Sequence, residues 1–306
     1  MKTVSVILQV IFLVLAAPLI SGLIRKIKNN IRMRKGMPVL QPYYNLSKLF
    51  SKDEVISKHT SWIFRVTPYV VLSSSLAAAF LVPLFTSASV MNYMGDLILL
   101  VFIFALGRFF TALSGLEAGS SFGGMGSSRE MFISSFAEPV AILSIFVIAL
   151  NCQSTNAGII SGSSVFKFSN IIASISFFLV IITETSRIPV DNQETHLELT
   201  MVHEAMVLEY SGRSLAIIEL GSLIKQAILF TLLANVFLPF GMSDTFGLQQ
   251  IITGFGIYLV KITGICVVTA VIEVSVAKMR LFRVVDFLTF ALFLSISAVI
   301  ALSIGA

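Results

Sequence analysis

Apolar runs long enough to enter or cross a bilayer alternate with short polar breaks along nearly the whole chain. They fall at residues 4–24, 67–85, 96–113, 136–150, 168–185, 214–240, 249–272 and 284–304. A helix needs about 20 apolar residues to span the hydrocarbon core. The pattern therefore predicts an all-α, polytopic integral membrane protein of about eight transmembrane helices, the first retained because no small-residue cleavage pattern follows it. Between the first two spans, residues 36–50 bring Leu46, Leu49 and Phe50 back beside Lys48, as a short amphipathic helix in the interface would. Trp62 and Tyr69 flank the start of the second span, where interfacial aromatics belong. No solenoid repeat or low-complexity linker interrupts the series, so residues 1–306 read as one membrane domain. Its main polar insertions are a basic segment, 25–66, and an acidic one, 186–213.

Composition agrees: 56% of residues are hydrophobic and 12% charged, with a mean hydropathy of +0.94, whereas soluble domains carry about 25% charged residues. The net charge of +5 does not indicate nucleic acid, because ten of the 21 Lys and Arg lie between Arg25 and Arg65. That clustering is a topology signal, with anionic lipid headgroups as secondary partners. Further positive residues sit between spans three and four (Arg129), five and six (Arg187, Arg213) and seven and eight (Lys278, Arg280, Arg283), while the alternate connections hold only Lys167. The positive-inside rule then makes these connections cytoplasmic and both termini external. Two cysteines, Cys152 and Cys266, supply neither a disulfide framework nor the thiolates of an iron–sulfur cluster.

Charge is scarce except in one stretch. Seven of the 16 acidic residues, Glu184, Asp191, Glu194, Glu198, Glu204, Glu209 and Glu219, fall within or just after residues 183–212. Carboxylates at a membrane's edge cost about 2.5–3.5 kcal/mol each when inserted, which favours a functional reading. Glu138, in FAEPV, enters the fourth span at the end where Glu184 leaves the fifth. Burial would raise their proton affinity and suit them to carrying protons; the plain alternative is a strut to Arg129 or Arg187. Arg108 and Glu117 belong either to a polar interior or to the interface. LELTMVHEAMVL places apolar residues at helical spacing between acids, so one face of a short helix should meet the membrane helices. Gly115, Gly119 and Gly123 recur every four residues, a spacing that permits close helix packing, but from Gly123 onward SSFGGMGSSRE reads as a flexible loop. His203-Glu204 lacks the second histidine of a zinc-protease motif, since Val207 stands there. His196 and His203, seven apart, read as interface histidines rather than metal ligands, and no phosphate loop or nucleophile elbow is present.

The residues themselves point to a family. TETSRIPVDNQETHLEL followed by EYSG, the basic residues before PVLQPYYNLSKLF, RFFTALSGLEAGSSFGGMGSSRE and FAEPV occur in this order. They resemble the membrane-arm component shared by respiratory complex I (its first, or H, subunit) and the group 4 membrane-bound nickel–iron hydrogenases, with RFFTALSGL and THLELTMVHEAMVLEYSG closer to the hydrogenase branch. The resemblance implies a non-catalytic subunit that docks a peripheral redox arm and couples its electron transfer to proton or sodium translocation. It implies that Glu138 and Glu184 begin the proton path, that Arg187, Asp191, Glu194, Glu198 and Glu209 form the charged coupling loop, and that Arg34, His196, His203 and Glu204 face the redox arm. It also implies no cofactor in this subunit, with nickel–iron and iron–sulfur centres in hydrogenase-type large and small subunits, and antiporter-like membrane subunits as further partners in a cell's inner membrane. Val190 and His196 depart from the respiratory pattern, which weakens a quinone-site role. A solitary ion-coupled transporter is the third reading.

Overall fold

The computed structural model describes residues 2–57, 60–84, 95–162, 167–191, 201–240 and 248–304. Among these residues every regular element is helical: α1 (Lys2–Ile31), α2 (Gln41–Phe50), α3 (Trp62–Leu81), α4 (Leu97–Glu117), α5 (Ser121–Cys152), α6 (Ala157–Gly162), α7 (Phe168–Glu184), α8 (His203–Val207), α9 (Gly212–Leu232), α10 (Leu248–Ser275) and α11 (Leu281–Ile304). α9 continues into a π-helical turn, Leu233–Phe237. Among the described residues seven helices are long and apolar enough to cross a membrane, and α7 adds a shorter one of 17 residues. At about 1.5 Å per residue α7 is about 26 Å long, near the lower limit for a span. The eight apolar runs thus match eight helices.

Side chains at their first turns start several of them. The Ser61, Asp96 and Ser120 side chains accept from the Ile63, Ile98 and Gly123 amides at 3.2, 2.8 and 3.1 Å, satisfying donors that a helix start leaves open. Glu117 joins the first of these, accepting from the Ser61 amide at 3.2 Å, where its charge also complements the α3 dipole. Arg108, by contrast, is an interior residue, 9% exposed.

α3, α4, α5, α7, α9 and α11 pack together, with α1 and α10 along one side of α9. The main core joins these helices, and Phe177 of α7 stacks on Phe237 of the π-helical turn at 4.4 Å. Connections gather at two ends, as alternating helices require. At one end the Leu97 amide donates to the Thr155 carbonyl at 3.1 Å and the Ala157 amide to the Gly95 carbonyl at 2.8 Å. At the other, Ser211 Oγ accepts from the Val55 amide (2.8 Å) and donates to its carbonyl (3.0 Å), while the Met279 amide donates to the Pro189 carbonyl at 2.9 Å.

Two expectations change. Residues 25–31 belong to α1 rather than to a basic loop, and their Lys28 is buried. SSFGGMGSSRE is not a loop but the first turns of α5. Its small residues admit neighbours: a Cβ at Gly123 would lie 2.3 Å from the Gly115 carbonyl oxygen, and one at Gly126 would lie 2.9 Å from both Ala205 Cβ and the Val202 carbonyl oxygen. Packing, not turn chemistry, explains these glycines.

Candidate functional site: a buried ion-pair network beside a cavity

Arg108 on α4 joins the two expected carboxylates. Its Nη1 donates to Glu138 Oε1 at 2.8 Å, and its Nη2 donates to both Glu184 oxygens at 2.7 Å. Lys225 of α9 reaches Glu184 Oε2 from the other side at 2.7 Å, lying 5.7 Å from the centre of the Phe104 ring. The arginines of the alternative strut reading go elsewhere: Arg129 donates to the Met201 carbonyl at 3.0 Å and Arg187 to Glu273. Glu184 is 10% exposed and Glu138 37%, so only Glu184 is committed to the interior. Burial raises the proton affinity of such a carboxylate, and two cations within hydrogen-bond distance act in the opposite sense.

A second network lies behind the first. Arg187 Nη1 donates to Glu273 Oε1 at 2.5 Å and its Nη2 to Gln226 Oε1 at 3.1 Å, while Lys28 Nζ sits 3.1 Å from Glu273 Oε2. These three charged side chains are each 5–6% exposed. Successive residues of α9, Lys225 and Gln226, thus touch one network each. A third pair holds the start of the acidic segment: Asp191 accepts from Lys278 Nζ at 2.7 Å and from the Val202 and His203 amides at 3.0 and 3.4 Å.

A cavity of about 420 Å³ runs beside the first network, lined by Arg108, Glu184 and Lys225 together with Glu130, His203 and Glu204. Glu138 reaches it through Arg108. Arg108 Nε and Gln226 Nε2, on two of its lining residues, are buried donors with no partner. α8 forms part of the wall because Ala205, Met206 and Val207 are buried against α4 and α5; of the stretch whose spacing predicts a helix packed on the membrane helices, His203–Val207 is helical and residues 197–200 lie outside the described residues. Burial pushes the His203 imidazole below the ordinary histidine range; Glu130, Asp191 and Glu184 oppose that shift and Lys225 adds to it. Tyr210, stacked on Phe64 at 3.9 Å and donating to the Phe64 carbonyl at 2.9 Å, is pushed up to about 12 by burial.

Glu209 and Arg34 are exposed. Glu194, His196 and Glu198 lie outside the described residues. Among the described residues, no group of three His, Cys, Asp or Glu is placed to hold a metal ion. Lys225, Glu273 and Lys28 were not singled out from the sequence, although a lone ionisable residue in an apolar run is the signal that marks the first two.

The comparisons with known proteins bear on this arrangement. The sequence matches the family described as NADH dehydrogenase over residues 3–304. The chain belongs to that family. Within it, hydrogenase-4 component C of Escherichia coli (strain K12) is 35% identical over 276 residues, covering 89% of this chain and 87% of that protein. Formate hydrogenlyase subunit 4 of the same organism is 32% identical over 286 residues, 92% of each chain. The H subunit of NADH-quinone oxidoreductase from Ralstonia pickettii (strain 12J) is 26% identical over 217 residues, 66% of this chain and 60% of that one. A chain in the structure of the membrane-bound sulfane sulfur reductase, an archaeal respiratory membrane complex, shares the fold, with a TM-score of 0.85 at 18% identity over 98% of this chain and 99% of that chain.

Proposed function

We propose that this chain is a membrane subunit of a hydrogenase-type respiratory complex, holding a peripheral redox arm at its charged end and coupling electron transfer to proton translocation. The hydrogenase-4 and formate hydrogenlyase relatives support that branch over an NADH-quinone oxidoreductase one, and a chain built around partners over a solitary transporter. The observation that carries the coupling is the Glu138–Arg108–Glu184–Lys225 network beside a cavity whose wall also includes α8. A movement of α8, imposed by a docked arm, would change the surroundings of Glu184 directly. The charged end is then cytoplasmic, both termini are external, and the membrane is the inner one. Nickel–iron and iron–sulfur centres belong to the partner large and small subunits, and antiporter-like subunits complete the membrane arm.

Glu138→Gln keeps the shape and removes the titrating group, and its half-exposed position makes it the cleaner test. In membrane vesicles the complex should stay assembled and pass electrons while ion translocation falls about tenfold, the order lost with a positioned proton-transfer group. Unchanged translocation, or loss of the arm, would defeat the assignment. Glu184→Gln leaves Arg108 and Lys225 buried without their shared carboxylate, a loss of about 3–5 kcal/mol for a buried pair, so its assembly should suffer visibly more.

A further inference from the structure

Three of the lysines that meet the bundle interior, Lys28, Lys225 and Lys278, have carboxylate partners at 2.7–3.1 Å. Lys261 of α10 has none among the described residues. Its Nζ donates to two backbone carbonyls, Ala234 at 3.0 Å and Leu238 at 2.7 Å, at the π-helical turn that ends α9. No described carboxylate pairs with it. A π-helical turn widens a helix and breaks its regular hydrogen-bond series, a feature found often at functional positions, and here the carbonyls face a cation instead of an amide.

The difference decides what Lys261 can do. Lys225 forms a salt bridge with the Glu184 carboxylate at 2.7 Å. The carbonyls of Ala234 and Leu238 are neutral, and an amine can still donate to one of them. Both protonation states of Lys261 are therefore compatible with the same packing. Among the described residues the groups along this part of the seam are polar and uncharged: Thr231 and Tyr258 share a hydroxyl hydrogen bond of 2.9 Å, and Asn235 Nδ2 donates to the Pro83 and Leu84 carbonyls at 3.0 and 2.9 Å. Among the described residues Tyr258 is its titratable neighbour on α10, one turn away. Towards the charged end, the buried face of α10 carries Cys266 and Thr269 and then Glu273 of the second network. Twelve residues separate Lys261 from Glu273, about 18 Å of helix.

We propose that Lys261 is a second proton-carrying site, beside the far end of α9 and midway along α10, cycling between ammonium and amine along the seam of the two helices. The step balances without any redox partner at the site. The ammonium gives one proton to a water molecule on the side away from the charged loop, the amine accepts one arriving from the Glu273 side, and the charge is restored. This rests on the coupled function proposed above. The competing role is a fixed cation that caps the carbonyls of the π-helical turn.

The test is donor-driven ion translocation by the whole complex in membrane vesicles, with Lys261→Arg and Lys261→Gln. Both replacements can donate to the same carbonyls and preserve the turn, but neither can cycle a proton, since a guanidinium stays charged and an amide stays neutral. Translocation should fall at least about tenfold in both, with electron transfer measured in uncoupled vesicles within about twofold of the parent. Full translocation by Lys261→Arg would establish the fixed-cation role and overturn the proposal. Should Lys261→Gln fail to assemble, Lys261→Arg still decides. If Glu138→Gln loses translocation while Lys261→Arg keeps it, only the second site is wrong; a parent complex that passes electrons and moves no ion overturns the coupled function and this site with it.

Discussion

His203 illustrates how one side chain can link the cavity to the stability of the loop above it. Its amide is held by Asp191 and its ring lines the cavity wall. Because burial holds its proton affinity below the ordinary value, the unfolded chain takes up a proton, at about pH 6.5, that the folded one resists. Stability is therefore unaffected above that pH and falls as pH drops through it. The thermal midpoint of the solubilised protein should fall by a few degrees between pH 7.5 and 5.5, and His203→Asn should lose part of that fall. An identical pH dependence in the variant would remove His203 from the account. The sequence made Glu138 and Glu184 visible because carboxylates stand out in apolar runs. It did not show that Arg108 would take both, since Arg108 could equally have reached the interface, and the partner of a buried charge comes from a helix distant in sequence.

At the scale of elements, α5 was legible from Phe136 onward by hydropathy alone. Its first turns were not, because glycine and serine read as turn formers unless a neighbour fills the space they leave. α8 is that neighbour. Gly126→Leu should push α8 off α5 at an overpacking cost of about 1–3 kcal/mol and reduce retention of the redox arm in detergent. Gly124→Ala should change nothing comparable, since a Cβ there meets nothing within 4 Å. Equal effects of the two substitutions would show that helix propensity rather than the α8 contact matters. The π-helical turn had no sequence signal, as Leu233–Phe237 is almost wholly apolar; its contacts come from distant segments, with Phe237 on Phe177, Asn235 on the Pro83 and Leu84 carbonyls and the Ala234 carbonyl on Lys261.

For the whole molecule, loop charges and helix order together predict which positions label from which side. Ser127 is a poor reporter because it is 1% exposed, whereas Met33 is 94% exposed. In a background with Cys152 and Cys266 replaced by Ser, Met33→Cys should react with an impermeant reagent only after the membrane is opened. Gln153→Cys, exposed at the other end, should react from outside; the reverse pattern would invert the proposed orientation.

α1 would pass any hydropathy test as a generic anchor, but the contacts along its length say otherwise. A Cβ at Gly22 would lie 2.0 Å from the Val39 carbonyl oxygen, the Tyr43 hydroxyl donates to the Leu15 carbonyl, and Lys28 completes the Glu273 pair. A transplanted helix of equal length and greasiness should still be inserted by the translocation machinery, with the right sidedness. It would lack the notch that seats α2 and the cation that Glu273 requires. Such a chimera should reach the membrane in normal amounts and then be degraded or fail to recruit its partners, separating delivery to the bilayer from maturation within it.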